Sequence, residues 1–88
     1  MKTHELKLQQ QFTKAVWIGD KPFEIRKNDR DFQVGDMIRF QVVDENGEPV
    51  ESLVNDALYE ITYVLEGWGL EPGYVALGIQ EVVGLLND

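Results

Sequence analysis

The sequence predicts an α+β domain that is mainly β: a small barrel of about five strands with one short helix after the first strand. Three observations carry this. Period-two alternation of apolar and polar residues recurs along the chain. A single stretch, residues 9–18, changes to a helical period. Turn chemistry separates the segments. At 88 residues the chain makes one domain, residues 1–88. Closing the sheet would remove the exposed edges that so small a β domain must otherwise protect.

Thr3 to Leu8 alternates, with His4, Leu6 and Leu8 on one face; this is a half-buried strand. Phe12, Ala15, Val16 and Gly19 then fall at i, i+3, i+4 and i+7, one amphipathic helical stripe. Gly19 is placed to end that helix, because glycine accepts the left-handed conformation past a helix C-terminus. Pro22 excludes a helix interior. The extended segment after it puts Phe23 and Ile25 on one face, expected to be the core face, and Glu24 and Arg26 on the other. Met37 to Val43 is a strand with Ile38, Phe40 and Val42 in register, and Asn46-Gly47 is a hairpin signal. Residues 50–56 are compatible with a short helix or a strand stub. Tyr59 to Leu65 alternates with Tyr59, Ile61, Tyr63 and Leu65 expected inward. Tyr74 to Val83 is the last strand, with Val75, Leu77 and Ile79 inward. On its other face Ala76 and Gly78 are small enough to let a backbone or a ligand come close.

Composition narrows the chemistry. With no cysteine, disulfides, thiolate nucleophiles and cysteine-based zinc sites are excluded. A small secreted domain would usually carry bridges, so a reducing, cytoplasmic location is expected. No apolar run reaches the ~20 residues of a membrane span, and the first residues lead into no signal-peptide core. The single histidine excludes a His-His metal pair, Ser52 is the only serine, and no glycine-rich phosphate loop is present. No metal and no cofactor is therefore expected. Asp44-Glu45-Asn46-Gly47-Glu48 lacks the spacing of a calcium loop and reads as a turn.

The net charge of −8 is unevenly placed. Every Lys and Arg lies between Lys2 and Arg39, against six acids in residues 1–43; residues 44–88 carry ten acids and no Lys or Arg. That asymmetry fits either a local anion-binding face on the first half or an acidic half that serves only solubility. Within the basic half, Lys21, Glu24, Arg26, Lys27, Asn28 and Arg30 crowd ten residues. They read either as exposed ion pairs worth under about 1 kcal/mol each or as a platform for a nucleobase. In the second reading Arg and Asn form paired hydrogen bonds and Glu accepts from an amino group.

Gly19-Asp20-Lys21-Pro22-Phe23-Glu24-Ile25-Arg26 has the pattern Gly-x-Lys-x-x-Glu-x-Arg and resembles the signature of ASCH domains, a PUA-like group. The likeness extends through Thr3–Lys7, Phe23–Asp36, Ile61–Val64 and Gly73–Val75, so it covers nearly the whole chain. It is to a small bacterial and phage ASCH-like subfamily. The resemblance implies a PUA-like β-barrel and a cleft for RNA or a modified nucleotide or nucleoside. Lys21, Glu24 and Arg26 would line that cleft, with His4, Asn28 and Arg30 as weaker candidates.

Some ASCH-like proteins are amidohydrolases that deacylate a modified cytidine. Lys21 and Glu24 would be the catalytic groups in such a branch. There, however, a threonine stands where this chain has Glu24, which weighs toward recognition over catalysis. An acidic protein-interaction module, working through the C-terminal half, is a third reading.

Individual side chains keep two roles open. His4 is either a hydrogen-bonded core residue or a pH-sensitive cleft residue. Trp17 either stacks on a base or covers the barrel mouth. Trp68, between Gly67 and Gly69, either closes over a ligand or plugs the barrel end.

Overall fold

The computed structural model describes residues 1–82. Five strands, β1 (Thr3–Gln9), β2 (Phe23–Lys27), β3 (Met37–Val43), β4 (Tyr59–Glu66) and β5 (Tyr74–Glu81), form one mixed sheet in the order β1-β3-β4-β5-β2. β1 runs parallel to β3, and the remaining pairs are antiparallel. The helix α1 (Thr13–Ile18) follows β1 after a 3-10 turn at Gln10–Phe12. The expected alternation holds in β1 and β3: His4, Leu6, Leu8, Ile38, Phe40 and Val42 are all buried. Val75, Leu77 and Ile79 of β5 complete this inner face. The last strand ends at Glu81, and Val83, at its expected limit, lies outside the described residues.

The sheet does not close into a barrel. β1 and β2 stand at opposite ends of the strand order, and arginine side chains span the gap between them. Arg26 Nη2 donates to the Lys7 carbonyl, and Arg30 Nη1 donates to the Glu5 carbonyl at 2.9 Å. These carbonyls, two residues apart on one edge of β1, would be needed for a further backbone ladder. The guanidinium groups take them instead, which satisfies the edge as pairing would.

Two other expectations change, in the helix and in β4. α1 is only six residues long, and Val16 alone of its stripe is buried; Phe12 stays partly exposed. Gly19 does end it, at φ 88° with its N–H on the Val16 carbonyl. Residues 53–56 form a 3-10 turn capped by the Ser52 side chain, which accepts from the Val54 N–H.

In β4 the register slips between Ile61 and Tyr63, leaving Thr62 as an extra residue. The bulge reverses the alternation beyond it, so Val64 packs on the core and Tyr63, expected inside, is 62% exposed. Gly78 accommodates the bulge: a Cβ there would lie 3.0 Å from Thr62 Oγ1 and 3.3 Å from Tyr63 Cβ. The close approach that the small residues of β5 foretold is thus made by β4.

Candidate functional site

Strand β2 is inside out. Phe23 and Ile25 are 42% and 54% exposed, while Glu24 is 3% exposed. The apolar face of this strand was expected in the core; the carboxylate holds that place instead. A buried carboxylate is costly unless paired and hydrogen-bonded, and Glu24 meets both conditions. Its Oε2 accepts from Lys21 Nζ at 2.6 Å. Its Oε1 accepts from Arg26 Nε at 3.1 Å and Nη2 at 2.9 Å. Lys21 reaches Glu24 because Pro22 holds the chain extended between them. Arg26 reaches it as the next residue on the same face.

Lys21 is fixed from further sides. Its Nζ also donates to the Phe23 carbonyl at 3.1 Å and lies 5.0 Å from the Phe12 ring centroid and 5.1 Å from that of Phe23. Both distances suit cation–π attraction. Arg26, held by Glu24 and the Lys7 carbonyl, is likewise oriented. Around these groups lies an open cleft of about 400 Å³, walled by Lys7, Leu8, Gln9, Phe12, Lys21 and residues 23–26. It occupies the place where β1 and β2 fail to join. The walls from β1 and Phe12 were not foreseen. Phe12 is expected on the core stripe of a helix over residues 9–18, but the segment opens with the 3-10 turn Gln10–Phe12 and α1 begins only at Thr13, so Phe12 borders the cleft.

A larger hollow of about 510 Å³ lies between Gln9–Gln11 and Asp44–Asn46. Its walls are carboxamides and carboxylates with no cation. It lacks the apolar walls and opposite charges that the β1–β2 cleft combines.

The other candidates lie elsewhere. His4 is 6% exposed and bonds Asp36 Oδ2 through Nε2 at 2.8 Å, with its ring 4.7 Å from Phe32. Asp36 also accepts from the backbone N–H groups of Lys2 and Gln33, both at 3.1 Å. Burial by itself would raise the Asp36 carboxyl, but the His4 ring and these two amides outweigh it and hold the carboxyl below its ordinary value. His4 is therefore the core residue of the two roles considered. It ties the starts of β1 and β3 to the loop before β3.

Asn28 staples that loop, its Oδ1 accepting from the Phe32 N–H at 3.2 Å. Phe32 anchors the loop in the core, whereas Val34 is exposed. Arg30 bridges to β1 and stands 3.9 Å from Asp29. Trp68 is 89% exposed at φ 53°, between two left-handed glycines of the β4–β5 loop; it neither covers the cleft nor plugs an end of the sheet. Among the described residues no cluster of His, Asp and Glu could hold a metal ion, and no helix is long and apolar enough to cross a membrane.

No curated protein matches the chain. The solved structure of the hypothetical protein PH0355 resembles it in fold, with a TM-score of 0.59 and 18% identity, over 93% of this chain and 100% of that one. Residues 3–79 match the family described as a domain of unknown function (DUF3850), and the chain belongs to that family.

Proposed function

We propose that the β1–β2 cleft binds RNA or a modified nucleotide, as the resemblance of the Lys21–Arg26 segment to ASCH and PUA-like domains implies. The observation that carries this reading is the buried Glu24 carboxylate held between Lys21 and Arg26 on the cleft wall. Two cations fixed by one buried carboxylate, and more exposed than it, can meet an anion together. The Phe12 and Phe23 rings offer flat apolar surface beside them. Recognition is favoured over amide hydrolysis by the state of Lys21. Its ammonium is engaged by a carboxylate, a carbonyl and two rings, which leaves no free amine to attack an acyl group.

The test is calorimetric titration of a panel of nucleosides, mononucleotides and short RNAs against the wild type and Arg26→Ala. Saturable binding weakened by about 1.5–3 kcal/mol in the variant supports the reading. Absence of saturable binding across the panel refutes it. Release of acetate from acetylated cytidine, abolished by Lys21→Ala, would replace it with the hydrolytic alternative.

A further inference from the structure

Six of the nine aromatic side chains, Phe12, Trp17, Phe23, Tyr63, Trp68 and Tyr74, are exposed. Three of them share one surface. The strand registers place Phe23 and Tyr63 on either side of Gly78, Ile25 and Leu65 on either side of Ala76, and Lys27 opposite Tyr74. Beyond the bulge, on whose other side Thr62, Gln80 and Glu60 continue the face, these eight residues make up the outer face of β2, β5 and β4. None of the eight is acidic, in a chain with sixteen acids, and their one charge is a lysine. The Lys21 ammonium stands at the Phe23 corner, 5.1 Å from the ring, so this face adjoins the cleft.

We propose that the outer face of β2-β5-β4 is a stacking platform for single-stranded RNA, continuing from the cleft. The inference rests on the cleft's reading as a nucleotide site. Aromatic rings on a sheet stack unpaired bases without regard to sequence, while nearby cations follow the phosphates. Gly78 carries no side chain, and the space above it is taken by Thr62 Oγ1 and Tyr63 Cβ, so the Phe23 and Tyr63 rings each offer their own stacking surface. Their strands stand two spacings apart, about 10 Å, close enough for neighbouring nucleotides of one strand to reach both rings.

Area selects this occupant over a protein. The face spans roughly 10 by 13 Å between backbone positions, far short of the ~800 Å² per partner of a stable protein interface. Two or three nucleotides fit it. The absence of acids among these eight residues lessens, over this patch, the repulsion that the chain's net charge of −8 imposes on phosphate.

The platform is tested with fluorescently labelled adenine and uracil RNA octamers and, separately, with mononucleotides that reach only the cleft. Octamer affinity is expected to fall about 5- to 100-fold in Tyr63→Ala and to persist in Tyr63→Phe, which keeps the ring. Mononucleotide affinity is expected to stay unchanged in Tyr63→Ala. Octamer binding that Tyr63→Ala and Tyr74→Ala leave untouched overturns the platform, even if mononucleotides bind. Octamer binding that depends on Tyr63 without any mononucleotide binding sustains the platform and sinks the cleft reading alone. A concentration-dependent dimer, seen by sedimentation and broken by Tyr63→Ala, would assign the face to a second copy of this chain and overturn the proposal.

Discussion

Lys21 Nζ donates to Glu24 Oε2 at 2.6 Å, and the other oxygen of that carboxylate takes Arg26. The three side chains form one unit with the acid at its centre. The Glu24 side chain is 4% exposed, and those of Lys21 and Arg26 are 19% and 25% exposed. Removing the acid therefore strands two cations that water reaches only in part. Glu24→Gln is expected to cost about 2–3 kcal/mol, slightly below the loss for a fully buried pair. Urea unfolding checks this. A change under about 0.5 kcal/mol would mean that the group is solvated like an ordinary surface pair.

Asp36 predicts an acid limb of stability. Burial opposes its charge, but the bonds from His4, Lys2 and Gln33 prevail, and its carboxyl lies below the ordinary 3.8. A carboxyl depressed in the folded state contributes stability above its unfolded value, and that contribution is lost as pH falls through the folded value. Stability should therefore decline below about pH 4. Asp36→Asn should flatten that limb and cost about 2 kcal/mol at neutral pH. Thermal melts from pH 2 to 7 read both effects; an unchanged acid limb in the variant would remove Asp36 as its source.

Tyr59 predicts the opposite end. Its hydroxyl is buried with no hydrogen-bond partner among the described residues, and burial, then the nearby Glu81, raises it above 10.0. A group raised in the folded state contributes stability below its unfolded value and loses it as pH climbs through the folded one. Stability should fall above about pH 10. Tyr59→Phe removes an unsatisfied polar atom, keeps the edge contact with Phe40, and should stabilise by up to about 1 kcal/mol at neutral pH. A destabilised variant in urea titration would show that the hydroxyl has a partner.

Gly78 is required by the β4 bulge. A Cβ at that position meets Thr62 Oγ1 and Tyr63 Cβ. Gly78→Ala should cost about 1 kcal/mol and Gly78→Val about 3 kcal/mol, as overpacking does. Equal melting temperatures for wild type and Gly78→Val would contradict the bulge.

Much of the fold was legible because its strands obey the simplest rule. β1 alternates throughout and β3 does so up to Val43, which is buried next to Val42, and Gly19 and Asn46-Gly47 mark real chain reversals. Two failures share a cause. Alternation tells which residues share a face, not which face turns inward. In β2 the polar face is inward because Lys21 and Arg26 compensate Glu24, a fact of three-dimensional pairing that hydrophobicity does not encode. In β4 one extra residue at Thr62 reverses the pattern, and nothing in Tyr59–Glu66 marks where. Closure of the barrel failed for a related reason: two arginines satisfied the β1 edge that a backbone was expected to fill. Of the candidate site, Lys21, Glu24 and Arg26, singled out by the resemblance and not by spacing alone, lie together on the cleft wall. His4, Asn28 and Arg30 were drawn off by Asp36, the Phe32 amide and the Glu5 carbonyl, partners too distant in sequence or too generic to foresee.

The central claim, that the cleft between β1 and β2 receives a nucleotide-like ligand, is tested most directly by amide chemical-shift mapping on the labelled full chain. Addition of mononucleotides is predicted to move the signals of Lys7, Gln9 and residues 21–26, saturably, and to leave those of residues 44–48 in place. Shifts centred on residues 44–48, or none at saturating ligand, would contradict it.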